Sequence, residues 1–172
     1  RGTRYITLTW NNSTSWATSA YDENSNPAFK GKGLSSFGKE VVHFMNKIGM
    51  LVDISHVGET TFWDVIATTT KPIIASHSSV YTLCPVPRNL KDDQIKAIAK
   101  NNGVIQINFN GGFIDSTEKK QEDAFMNSHK TEFDSLTLAT NSEYIAEEMI
   151  HKKSGLLAIP RKGYPLLKKW GF

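Results

Sequence analysis

The amino-acid sequence predicts an α/β fold, a partial (β/α)8 TIM-like barrel with about four parallel strands. Three observations lead there. Apolar, β-branched runs alternate with helical segments of about eleven residues, the pattern of parallel βαβ units covered on both faces. Polar residues, namely Trp10, His56, His77, Arg88 and Asn108, gather at the C-terminal ends of those runs, where barrels place function. An open dinucleotide-binding sheet would show a glycine-rich turn after its first strand, and no GxGxxG occurs.

The elements follow in order. Arg4 to Thr9 (RYITLT) has the β-branched and aromatic composition of a buried strand. The polar stretch from Trp10 to Gly33 lacks periodicity and reads as a long loop. A helix follows, with Ser35 or Ser36 as N-cap, Phe37, Val41, Phe44, Met45 and Ile48 on its apolar face, and Gly49 as its stop. Met50 to Ser55 is a second strand, and Glu59 to Thr69 a helix burying Phe62, Trp63, Val65 and Ile66. Pro72 to Ser76 is a third strand, its proline at the first position, where a missing N–H is tolerated. Lys91 to Asn101 forms a helix through Ile95, Ile98 and Ala99, capped by Asn89 or Asp92, and Gly103 to Phe109 is the fourth strand. Beyond Ser116 the chain turns charged and helical and shows no further strand.

Four strands do not close a barrel, so the expectation is a single domain over residues 1–172 that forms about half of a larger one, with residues 154–172 an atypical tail. With 39% hydrophobic and 22% charged residues, a packed core is expected and wholesale disorder is not. A net charge of +3 with scattered lysines implies no nucleic-acid partner. No apolar run approaches the ~20 residues that span a bilayer. Cys84 is the sole cysteine, which excludes an internal disulfide, and a buried structural thiol is favoured over a nucleophile. The opening at Arg1, without Met or leader, is read as a missing natural N-terminus. Periplasmic, lipid-anchored and cytoplasmic locations stay open.

The runs LVDISH and PIIASH both end in Ser-His, and the two histidines are 21 residues apart. Neighbouring parallel strands lie ~4.8 Å apart, so His56 and His77 could project side by side onto one Zn2+ at ~2.0 to 2.1 Å from each. A lone histidine at a strand end is more often a hydrogen-bonded structural residue, and no H-E-x-x-H signature is present. Strand alternation groups Val52, Ile54 and His56 on one face and sends Asp53 to the helix side, in a structural or supporting role. Arg88 follows Pro85 and Pro87, which stiffen its loop. It suits bidentate capture of a carboxylate or phosphate, and a surface arginine is the plainer alternative. His43, His129 and His151 sit among charged helical neighbours as solvent-facing or packing residues.

The segments RYITLTWNNSTSWATSA, GLSSFGKEVVHFMNKIGMLVDISHVGETTFWDV, KPIIASHSSVYTLCPVPRNLKDDQIKAIAKNNGVIQINF and GGFIDS closely resemble the membrane (renal) dipeptidase family of zinc peptidases. The resemblance runs from about Arg4 to Lys153 and is most specific over residues 33–115. It implies a (β/α)8 barrel of the amidohydrolase type that hydrolyses dipeptides at a two-zinc centre. His56 and His77 match the family's two histidine ligands of the second zinc, and Arg88 matches the arginine that binds the dipeptide's terminal carboxylate. Trp10 falls where the renal form has a histidine near the scissile carbonyl, and some bacterial branches are similar to this sequence in carrying Trp there.

The family's first-strand His-x-Asp pair, its metal-bridging Glu and the last-strand Asp have no counterpart in this sequence, so its catalytic carboxylates are unassigned. The resemblance therefore implies a zinc dipeptidase as parent and a chain that is inactive by itself. A related amidohydrolase acting on another carboxylate-bearing substrate is one alternative. A non-catalytic truncated remnant, or an assembly module that pairs with itself or with a complementing barrel segment, is the other.

Overall fold

In a computed structural model of the chain, the described residues are 2–141 with Ala146, Met149 and Ile150. The predicted tail at 154–172 and His151 lie outside them. The chain divides into two compact units, Arg1–Lys119 and Lys120–Phe172. The first holds the sheet and its helices; the charged region beyond it carries helices, as expected.

The first unit runs β1 (Tyr5–Thr7), α1 (Ala20–Ser25), α2 (Ser36–Ile48), β2 (Leu51–Asp53), α3 (Glu59–Thr68), β3 (Ile74–Ala75), α4 (Asp92–Lys100) and β4 (Val104–Ile105). Next come α5 (Ser116–Ser128) and α6 (Lys130–Thr140). The four strands form one parallel sheet in the order β1-β2-β3-β4, with Thr7 opposite Asp53, Asp53 opposite Ile74, and Ile74 opposite Val104. Helices α2, α3 and α4 connect consecutive strands, as successive βα units require. The expected long loop after β1 contains α1 and a 3-10 turn at Pro27–Phe29, which the lack of apolar periodicity concealed.

The strands are shorter than the apolar runs suggested. Extended backbone continues past the ladder, as in Ile54 N–H to Ile74 O at 2.8 Å and Gln106 N–H to Ala75 O at 2.8 Å. The Asp53 carboxylate, however, accepts the N–H groups of Ser55 and Ser76, and this side-chain capture ends β2 and β3. Burial on both sheet faces is also not what the structure shows. Val52, Ile54, Ile73 and Ala75 enter a core with Val42, Met45, Phe62, Val65, Leu90 and Ile98, whereas Leu51 and Val104 are exposed.

Helix α2 begins at Ser35, whose hydroxyl accepts the Gly38 N–H at 3.2 Å, and ends at Gly49, left-handed with φ 73°. Its buried stripe is Gly38, Val42, Met45 and Asn46, with Val41 partly covered; the expected Phe37, Phe44 and Ile48 are exposed. The apolar residues form a broad arc and the buried stripe lies toward its Val42 and Met45 edge, so period alone leaves the rotation of the helix open. Close approach settles it, because a Cβ at Gly38 would stand 2.4 Å from the Trp16 carbonyl oxygen. Gly38→Ala is therefore expected to destabilise the chain by ~1–3 kcal/mol, against a gain of ~1 kcal/mol from helix propensity. A denaturant midpoint that rises would contradict this packing.

Helix α4 is capped differently from either expectation. Lys91 is its N-cap, and its N–H donates to Gln94 Oε1 at 2.9 Å. Asn89 is buried and used elsewhere, and Asp92 accepts from Thr82.

Candidate metal centre

The site is built at the C-terminal ends of β2 and β3. His56 has φ 69°, an uncommon left-handed backbone for a residue other than glycine. The strap at Thr18–Ala20 holds that turn: Ala20 N–H donates to His56 O at 2.8 Å and Gly58 N–H to Thr18 O at 2.9 Å. The turn also breaks the strand alternation. Val52 and Ile54 point into the core as grouped, but the His56 ring swings to His77, with Nε2 to Nε2 at 3.0 Å.

The outer ring nitrogens are engaged as well. His56 Nδ1 lies 3.1 Å from Asn11 Oδ1, and His77 Nδ1 lies 2.7 Å from Ser76 Oγ. The His77 backbone is held from both sides, its N–H donating to Ser55 Oγ at 3.0 Å and its carbonyl accepting from Arg88 Nη2 at 3.2 Å.

Asp53 is the main correction to the face assignment. It does not turn toward the helices but sits 0% exposed beneath the two histidines, linking three strands. Oδ2 accepts from Thr7 Oγ1 at 2.6 Å and Ser76 Oγ at 2.5 Å, and Oδ1 accepts from Ser55 N–H at 3.0 Å and Ser76 N–H at 2.9 Å. Burial disfavours its charge, but those four donors outweigh burial and hold its pKa below the usual carboxylate value.

The histidines shift the opposite way from simple carboxylate pairing. Burial first, then the Arg88 and His77 charges, push His56 down to about 4, with Asp53 opposing. Burial and Arg88 likewise lower His77. Both rings are therefore neutral near pH 7, the form that binds a metal.

Arg88 is brought to the same site. Its guanidinium lies 5.2 Å from the Phe113 ring centroid, and its buried Nε has no hydrogen-bond partner. Burial lowers its pKa to about 10, with Asp53 opposing, so it stays charged. Asn89 pins the loop beside it, accepting from Ser79 N–H and donating to the carbonyls of Cys84 and Phe113. Trp10 is 68% exposed, with its ring 6.4 Å from that of His56. Asn108 serves loop geometry, its carbonyl accepting from Ser79 Oγ and its side chain from Asn110 N–H. Cys84 is buried and His43 exposed, while His129 packs on Phe125.

The structure thus brings the sequence candidates His56, His77, Arg88 and Trp10 to one place; sequence reasoning gave Asp53 a supporting role but on the wrong face, and it missed Asn11, Ser55 and Ser76. The signal for the serines was visible, since both strand ends read Ser-His and each serine is bonded within this network. Among the described residues, no group of three or more His, Cys, Asp or Glu converges to hold a metal.

The comparisons with known proteins bear on the fold and the family. An uncharacterized dipeptidase of Schizosaccharomyces pombe is 43% identical over 113 residues, which is 66% of this chain and 27% of that protein. The probable dipeptidase PvdM from Pseudomonas aeruginosa superposes with a TM-score of 0.61 at 27% identity, covering 74% of this chain and 33% of that one. A metallo peptidase from Rhodobacter sphaeroides, liganded with a phosphinate mimic of the dipeptide L-Ala-D-Ala, gives a TM-score of 0.58 at 26% identity over 66% of this chain and 32% of its own. The chain thus spans a third or less of each of these relatives. Their likeness identifies the parallel sheet as part of a (β/α)8 barrel of the metal-dependent hydrolase type. The model of the membrane dipeptidase family, peptidase family M19, matches residues 1–147, and the chain belongs to that family.

Proposed function

We propose that this chain carries part of the active site of a zinc-dependent dipeptidase. In this reading His56 and His77 are co-ligands of one ion and Arg88 anchors the dipeptide's free carboxylate. The observation that carries the proposal is the 3.0 Å convergence of two Nε2 atoms on neutral rings. That spacing is within reach of one ion at ~2.0 to 2.1 Å from each nitrogen, and imidazole suits zinc. Bound zinc would polarise the scissile carbonyl and lower the pKa of a water.

Arg88 keeps its charge in a partly desolvated position beside the histidines, which suits it to hold an anionic terminus. Exposed Trp10 lies next to His56, where it can flank the substrate. The phosphinate dipeptide mimic on the Rhodobacter sphaeroides enzyme supports a dipeptide as the substrate class. Proton transfer is assigned to no residue of this chain. Among the described residues no helix is long and apolar enough to cross a membrane.

Two imidazoles fall short of the three or four protein ligands of usual zinc sites. Calorimetric titration of the 172-residue chain is expected to show weak Zn2+ binding, reduced more than ~10-fold by His56→Ala or His77→Ala. Equal binding by the double variant would remove the metal assignment. The isolated chain is expected to hydrolyse no dipeptide, and chelator-sensitive hydrolysis restored by Zn2+ would refute that.

A further inference from the structure

We infer that Asp53, acting through the Ser76 hydroxyl, is a positioning residue for His77, holding its ring as the Nδ1–H tautomer with the Nε2 lone pair turned toward His56. The inference deepens the metal-site reading, yet its central claim concerns the ring itself and can be tested with no metal present.

The argument is one of hydrogen counting. A serine hydroxyl has one hydrogen to donate and can accept from others. Ser76 Oγ has three neighbours: Asp53 Oδ2 at 2.5 Å, His77 Nδ1 at 2.7 Å and Ser55 Oγ at 3.3 Å. The shortest contact is to a carboxylate oxygen, the strongest acceptor of the three, so the hydroxyl hydrogen goes to Asp53. Asp53 has no proton to return, because its two oxygens already receive Thr7 Oγ1, Ser55 N–H and Ser76 N–H, all donors. Toward His77, Ser76 Oγ is left as an acceptor. The 2.7 Å contact therefore requires Nδ1 to carry the hydrogen, which leaves Nε2 unprotonated.

The direction of the chain also follows from where it is anchored. Asp53 is on β2 and Ser76 closes β3, so the carboxylate fixes the serine from the neighbouring strand while Ser55 Oγ and Arg88 fix the His77 main chain. Without the carboxylate, the serine would be free to donate to Nδ1 and stabilise the opposite tautomer, with hydrogen on Nε2. That form would close the face that meets His56. The assembly resembles the way ligating histidines are generally oriented by a carboxylate, with a hydroxyl inserted between.

Long-range 1H–15N spectra of the metal-free chain test it, with His77 assigned by comparison with His77→Gln. The wild type is expected to show His77 mainly as Nδ1–H. Ser76→Ala should make Nε2–H the major form, and Ser76→Thr should restore the wild-type pattern because it keeps the hydroxyl. Zn2+ affinity should follow the tautomer, falling ~10-fold or more in Ser76→Ala and recovering in Ser76→Thr. An unchanged Nδ1–H signal in folded Ser76→Ala, or Nε2–H in the wild type, overturns the inference. A tautomer that responds as stated while Zn2+ binding is equal in wild type and in the double His56→Ala, His77→Ala variant upholds the positioning role and refutes the metal reading instead.

Discussion

Asp53→Ala is expected to destabilise the first unit by roughly 3 kcal/mol or more, because it strands several buried donors at once. Thr7 Oγ1, Ser76 Oγ and the N–H groups of Ser55 and Ser76 all converge on this one carboxylate. Each hydrogen bond to a charged group contributes about 1.5–3 kcal/mol, and their losses do not simply add. Thr7→Val removes one donor and should cost about 1 kcal/mol. Asp53→Asn should fall between, since its amide can accept on one side only. Urea unfolding followed by circular dichroism checks the order, and a loss under about 1 kcal/mol for Asp53→Ala would mean that water replaces the network.

The same carboxylate makes a pH prediction with a definite sign. Its folded pKa lies below the ordinary 3.8, so it stabilises the fold above that value, and the contribution is lost as pH falls through the lower folded pKa. The stability gap between wild type and Asp53→Asn should therefore be full near pH 6 and narrow below about pH 4. A gap that widens in acid would contradict the donor assignment.

Phe62→Ala should cost ~3–5 kcal/mol, while its neighbour Trp63→Ala should cost well under half of that. The rings are adjacent on α3, with centroids 5.0 Å apart and nearly perpendicular. Phe62 is 1% exposed in the core between α3 and the sheet, and Trp63 is 36% exposed. Removing the first opens a cavity in the core it shares with Val52 and Val65; removing the second mainly uncovers a surface. Equal losses from chemical denaturation would show that Trp63 is packed more tightly than its exposure indicates.

The contrast between Phe62 and Trp63 shows why part of the fold was legible and part was not. A run such as ETTFWDVIAT announces a helix through its period, but Phe62, Trp63, Val65 and Ile66 leave the buried face undetermined by some tens of degrees. The rotation is decided by neighbours distant in sequence. In α2 that neighbour is the Trp16 carbonyl against Gly38, which the sequence of α2 does not contain.

The candidate site divides along the same line. The parallel βα order, the two Ser-His strand ends, Arg88 in a proline-stiffened loop and the family resemblance are local or repetitive signals, and the sequence alone was enough to name those residues. Period-2 alternation rightly set Asp53 opposite Val52 and Ile54, but it carried His56 along with that pair, and taking their face as the site's sent Asp53 to the helix side. It assumes extended backbone at every step, and His56 is left-handed because the Thr18–Ala20 strap holds it so. Only the tertiary structure brought the two Nε2 atoms to 3.0 Å and set Asp53 beneath them, since both depend on hydrogen bonds between β1, β2 and β3 that no single segment encodes.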